Sequence, residues 1–227
     1  MLIGFENNVT PDLQRLKACW SPLARALKII SKSIVMKKMI SLLLTVTASL
    51  CFSSVNGQTA IGAKAGVNVA NLSGDAHDPR VSVHGGFFVN RSISKNFSVQ
   101  PELLFSGEGV KYVWAGVRHK WVLNYIQVPV MLQYYPVSQV YVEAGPQVGF
   151  LISAKDKLGE DSHANLKENI NDVQFAIGAG LGIKVTDRIV IYGRYNFGLS
   201  DITSSYYDVF EMRSNVGQIG IAARFHQ

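Results

Sequence analysis

The chain has 227 residues, 48% of them hydrophobic, which is enough to bury a core in one or two domains. Its net charge of +6 is concentrated before Gln58: residues 1–57 hold seven Lys/Arg against two acids, whereas residues 58–227 hold 15 against 14. The main body therefore lacks the one-sided basic surface of a nucleic-acid-binding protein, and no nucleic-acid partner is expected. Both cysteines, Cys19 and Cys51, also precede Gln58, so the remainder has no disulfide or thiol chemistry.

The N-terminal segment explains its own charge. "MKKMISLLLTVTASLCFSSVNGQ" begins at Met36 with two lysines, continues through an apolar run from Met39 to Phe52 and ends in small and polar residues. That order is a secretory signal peptide over residues 36–57, with Val55 and Gly57 meeting the small-residue rule and Gln58 as the new N-terminus. The apolar run falls short of the ~20 residues of a spanning helix, the rival reading being an uncleaved anchor. Leu50 stands where a lipoprotein site at Cys51 needs a small residue. Residues 1–35 are read as an extension outside the fold, translation starting at Met36. "LKACWSPLARALKIISKSIV" nevertheless has the pattern of a basic amphipathic helix.

From Thr59 onward the apolar period is two, not 3.6. Residues 60–70, 81–90, 97–106, 121–135, 140–152, 173–185, 189–199 and 215–225 alternate in this way and predict eight strands. Most are near the ~9–11 residues that cross a bilayer at a tilt. The connections alternate too. "RSISK", "PVSQ" and "TDR" are short, whereas those after strands 1, 3, 5 and 7 are long and polar. Short turns at one end and long loops at the other are the organisation of an outer-membrane barrel.

Six strands carry their apolar set at odd numbers, such as Val67, Val81, Phe87 and Leu103. Strands 4 and 5 switch to even numbers, with Ile126, Val128, Val130 and Leu132, then Val140, Val142, Val148 and Phe150. The opposite face is rich in Gly and Ala, with about one charge per strand: Lys64, Glu102, Glu143, Lys184, Arg194 and Arg224. As an exterior this face would solubilise poorly. As the lining of a narrow eight-stranded barrel it leaves room for a few long polar side chains. The apolar face then points to lipid, with Tyr134, Phe150, Phe197 and Phe225 near its edges as girdles. The rival is a lipocalin-like soluble barrel with the faces reversed. The fold class expected is all-β, an eight-stranded antiparallel up-and-down transmembrane barrel over residues 58–227. Pro101, Pro129 and Pro146 each remove a ladder donor and are expected at bulges or strand ends.

"LNYIQVPVMLQYYP", "VYVEAGPQVGFLISAK", "DVQFAIGAGLGIKV" and "YGRYNFGLSDI" resemble the PorT-like outer-membrane β-barrel family of Gram-negative bacteria. The resemblance runs from about Thr59 to Phe225 and carries no catalytic signature. It implies an eight-stranded barrel in the outer membrane and, through the family's named member, a link to protein secretion and surface export. The last strand resembles an assembly signal ending on an aromatic at Phe225, followed here by His226 and Gln227. The partners this implies are outer-membrane lipid and the barrel-assembly machinery.

Unpaired charges in a dry lumen are costly, so the six should pair. Glu143 with Lys184 near the periplasmic end, and Glu102 with Arg194 at mid-height, are the expected bridges. They make either an ion-paired plug or a gated narrow channel. A lipid-modifying enzyme needs a His with a nearby Ser or acid at the lipid boundary. His84 faces the lumen; His77, His119, His163 and His226 fall in loops or at the terminus, with Ser73 and Asp75 near His77. No catalytic residue, cofactor site or metal site is expected. "GAGLG" lies within a strand and opens no helix, so it is not a phosphate loop. Candidate partner contacts lie on and beside two long loops: Tyr112, Trp114 and Trp121, then Tyr206, Tyr207 and Phe210. Loop 153–172 reads as a mixed charged surface. The expected function is a non-catalytic structural or accessory membrane protein, assisting secretion or surface interaction, with both termini in the periplasm.

Overall fold

The computed structural model describes residues 59–72, 78–114, 117–158, 162–165, 167, 170–202 and 213–226. The expected extension and signal peptide lie outside the described residues. Nine strands are present among them: β1 (Thr59–Leu72), β2 (Asp78–Ser92), β3 (Phe97–Trp114), β4 (Val117–Val137), β5 (Val140–Leu158), β6 (Ser162–Asn165), β7 (Val173–Lys184), β8 (Ile189–Gly198) and β9 (Ser214–His226). Eight of them form one antiparallel ring in the order β4-β3-β2-β1-β9-β8-β7-β5, closed by pairing of β4 with β5. The ninth, β6, pairs only with the far end of β5. Closure leaves no sheet edge, which hydrocarbon demands because nothing there can satisfy a free N–H or C=O.

Both faces follow the alternation. Val81, Phe87, Leu103, Leu132, Val142, Ile177, Leu181, Ile219 and Phe225 are exposed, whereas Gln100, Gln127, Gln147, Gln174, Asn196 and Gln218 are buried. This inversion of soluble burial is that of a lipid-facing wall around a packed lumen. The girdle residues Tyr134, Phe150, Phe197 and Phe225 are exposed, and two of them meet a ring beside them on the wall: Tyr134 with Phe97 at 5.0 Å between centroids, Phe197 with Tyr195 at 4.6 Å. Val130 and Val148, expected on the outer face, are instead buried. They lie at or beside the gap that Pro146 leaves in the β4–β5 ladder.

The prolines do not mark strand ends. Each is paired to one neighbour and stands at a gap toward the other. Pro101 pairs with Val130, and the β2–β3 ladder is interrupted between Phe88↔Glu102 and Arg91↔Val99. Pro129 pairs with Gln147, and the β3–β4 ladder is interrupted between Pro101↔Val130 and Leu104↔Gln127. Pro146 pairs with Ile177, and the β4–β5 ladder is interrupted between Pro129↔Gln147 and Leu132↔Ala144. A proline has no N–H to give to the strand on that side.

The largest departure from the sequence reading is at the long-loop end. Residues 107–114 and 117–120, expected in a loop, extend β3 and β4 in register from Gly107↔Asn124 to Trp114↔Val117. Residues 153–158 likewise extend β5. These extensions rise past the bilayer, where the wall need not be apolar, so no alternation of hydrophobics marks them in the sequence. Gly109, at φ 130°, allows the turn of the β3 backbone there that a side chain would strain.

Candidate functional site

The lumen is filled in three layers. At the short-turn end Phe88, Tyr141, Val190, Tyr192 and Ala222 form a buried cluster with Tyr135 packed against it. Small residues opposite make the room: a Cβ on Gly182 would meet the Tyr141 ring, and one on Gly220 would meet Tyr192. The aromatic content of this layer was not legible from a polar face rich in glycine, although Phe88, Tyr192 and Ala222 share the even parity of that face.

At mid-height lies the charged layer. The Arg194 guanidinium donates to Glu102 through Nη1 at 2.9 Å and Nη2 at 2.7 Å, and through Nε to Glu143 at 2.7 Å. The Lys64 ammonium donates to the same Glu102 at 3.0 Å and lies 3.9 Å from the centre of the Tyr192 ring. All four residues are at most 4% exposed. Two acids face two cations, so the layer is neutral when every group is ionised. The remaining lone pairs are taken by Gln100 on Glu102 and Gln133 on Glu143, and Gln133 is itself held by Asn90, Ser98 and Tyr135. Bidentate geometry and filled lone pairs are the conditions under which a buried ion pair repays its desolvation. His84 sits alongside, with Nδ1 on Asn68 and Nε2 on Tyr192.

The structure brings together Lys64, Glu102, Glu143 and Arg194 and leaves the other two of the six at the short-turn mouth. Glu143 is bonded to Arg194 and Gln133, not to Lys184 as expected. Lys184 is half-buried 4.4 Å over the Tyr135 ring, and Arg224 is half-buried beside it. Glu143 stands opposite Gly180, four residues along β7 from Lys184, so adjacency of strands did not imply contact.

The outer layer was missed. Glu108, assigned to a loop by sequence, is buried and accepts from Gln127, from Gln174 at 3.3 Å and from Ser214 at 2.5 Å. Its backbone carbonyl takes a hydrogen bond from Arg80. The signal was parity: Glu108 continues the even-numbered series of Glu102, Leu104 and Ser106. Above it Val110, Leu123, Tyr125, Leu151 and Ala154 pack with Ile170 and Ile202, which the long connections after β6 and β8 contribute. Backbone bonds Leu151 N–H to Asp172 O and Asn171 N–H to Ile202 O, both 2.8 Å, fix those connections over the mouth.

Of the candidate contact aromatics, Trp121 is half-buried and packs against this cap rather than standing free in a loop. Tyr112 and Trp114 lie on the β3 extension, opposite His119 and Val117, and their side chains are outside the described residues. Tyr206, Tyr207, Phe210 and His77 are outside them as well. His119, expected in a loop, is on β4 and meets Asp156 at 3.0 Å.

The family described as outer membrane protein beta-barrel domain matches residues 52–204. No curated protein matches the chain. Among solved structures it is similar to Neisserial surface protein A at 15% identity and TM-score 0.48, covering 75% of this chain and 100% of that one. It is also similar to Ail, the attachment invasion locus protein of Yersinia pestis, at 15% and 0.46, covering 74% and 99%. A major outer membrane protein from Thermus thermophilus is similar at 13% and 0.45, covering 74% and 99%.

Proposed function

We propose, from the premise that this chain belongs to the outer membrane protein beta-barrel domain family, that it is a non-catalytic and non-conducting barrel acting from its long-loop end. The single observation that carries the reading is the mid-height layer, in which Arg194 reaches from β8 to Glu102 on β3 and Glu143 on β5. One side chain thus spans the lumen, and apolar clusters close it on both sides. A barrel filled in this way offers its environment only a wall and a loop end. The PorT-like resemblance supports an accessory role in protein export or surface interaction, with residues 36–57 removed on secretion and the assembly machinery inserting the barrel. His84 has an amide and a phenol as its partners, so no acid orients it as a base.

Planar-bilayer recording of the purified protein tests this: currents no higher than the protein-free control are expected. Steady conductance well above that control would make it a channel. Orientation is read separately, on cells carrying Asp172→Cys or Lys95→Cys and a membrane-impermeant maleimide. Labelling of the first and not the second is expected.

A further inference from the structure

The extensions of β3, β4 and β5 sort their charges by face. In "KDK" at 155–157 the middle Asp156 turns inward to His119, at 3.0 Å, and the flanking lysines turn outward. Within residues 155–157 the two lysines thus face outward and the acid between them is withdrawn into the barrel. Lys111 is directly opposite Lys120, and Lys120 directly opposite Lys157, so three lysines stand in one in-register row across three strands. Lys155 stands on the same face, opposite Val122. At its β2 end the row meets an acid, Asp78, opposite Lys111. Like charges directly opposite one another on a sheet are destabilising. Partial burial, then Arg80, Lys111 and Lys157, hold the Lys120 ammonium below its ordinary value. Neither Lys120 nor Lys157 has an acid directly opposite it among the described residues.

The height of the row says which anion fits it. An apolar band of about 25 Å takes up about 10 residues of a tilted strand. Counted from Tyr134 at the short-turn edge of β4, the band ends near Asn124, whose amide donates to Ser153 on β5 at 2.9 Å. Lys120 then lies about 10 Å beyond the hydrocarbon, still on the face that lipid surrounds. That is headgroup depth, where clustered lysines recognise anionic lipid and an ammonium serves phosphate as a point charge.

We propose that the row Lys111, Lys120 and Lys157 is a docking surface for the phosphate groups of the glycolipid that forms the outer leaflet, with Lys155 at its lower edge. The proposal rests on the loop-outward orientation proposed above. Binding measured on purified protein does not depend on orientation, so failure of the labelling and failure of the binding are separate results.

The test uses the full chain in detergent micelles and measures binding of diphosphoryl lipid A against lipid A stripped of its phosphates. Tight binding of the first only is expected. Lys→Gln changes are expected to weaken it about fivefold for each lysine and about a hundredfold for all three together. Lys95→Gln with Arg188→Gln, at the short turns, leaves it unchanged. Retention of the heat-dependent gel shift identifies variants that still fold, and Lys120→Gln alone serves if the triple variant does not. Wild-type affinity in the folded variants, or equal binding of dephosphorylated lipid A, overturns the proposal. So does inositol hexakisphosphate binding as tightly as lipid A, which would make the occupant a soluble polyanion.

Discussion

Gln218 and Ile219 are neighbours on β9, yet the first is 2% exposed and the second 71%. The outer wall and the lumen of this barrel are made by the same strands and held by different forces. Outside, the side chains meet hydrocarbon, so their removal from water is accomplished by the bilayer and fixes the barrel in the membrane rather than holding its strands together. Inside, the strands are joined across the lumen by side chains that satisfy one another: Lys64 on β1 and Glu102 on β3 are not even on paired strands. A single barrel therefore tolerates error differently on its two faces. The wall asks only for an apolar residue, whereas the lumen asks for a particular partner.

The sharpest way to break that contrast is at Arg194. Arg194→Leu leaves Glu143 without its cation and Glu102 with Lys64 alone, and should cost about 3–5 kcal/mol of folded stability. Urea titration of the purified barrel in vesicles, read as the fraction migrating in the folded gel position, measures the loss. Adding Glu143→Gln to that variant should recover much of it, since Glu102 then faces Lys64 alone and no uncompensated charge is left in the layer. An unchanged urea midpoint for Arg194→Leu would mean that the ion layer does not hold the barrel.

On the wall, Ile219→Arg places a charge near the middle of the apolar band and should cost about 2–4 kcal/mol by the same titration. Ile219→Leu should cost next to nothing, because any apolar side chain serves there. A comparable loss for both would show that the wall is packed as specifically as the lumen. The smallest effect tests room rather than charge. Gly182→Val drives a side chain into the Tyr141 ring and should cost about 1–3 kcal/mol. No loss would mean that Tyr141 has another place to go.

Much of this architecture was legible in the residues. Alternation over 97–106 or 173–185 predicts strands, their apolar face and the segregation of short turns from long loops. Legibility stopped where the bilayer stops. In the β3 and β4 extensions neither face is apolar enough to show a period, so Glu108 and His119 read as loop residues, although both lie in strands and point inward. The cap was also invisible, because Ile170 and Ile202 lie in connections without an apolar period and only the fold brings them to Tyr125.

By itself, then, the sequence determined an antiparallel barrel with lipid outside and charges inside, because a period of two admits only two faces and burial of charge in hydrocarbon is too costly for the other arrangement. The tertiary structure decided which charges meet. Lys64, Glu102, Glu143 and Arg194 come from β1, β3, β5 and β8, up to 92 residues apart for a single hydrogen bond. Their meeting depends on the stagger of strands around a closed ring and on a lumen narrow enough for one guanidinium to reach across it. Neighbouring strands suggested a Glu143–Lys184 pair; the ring placed Arg194 nearer.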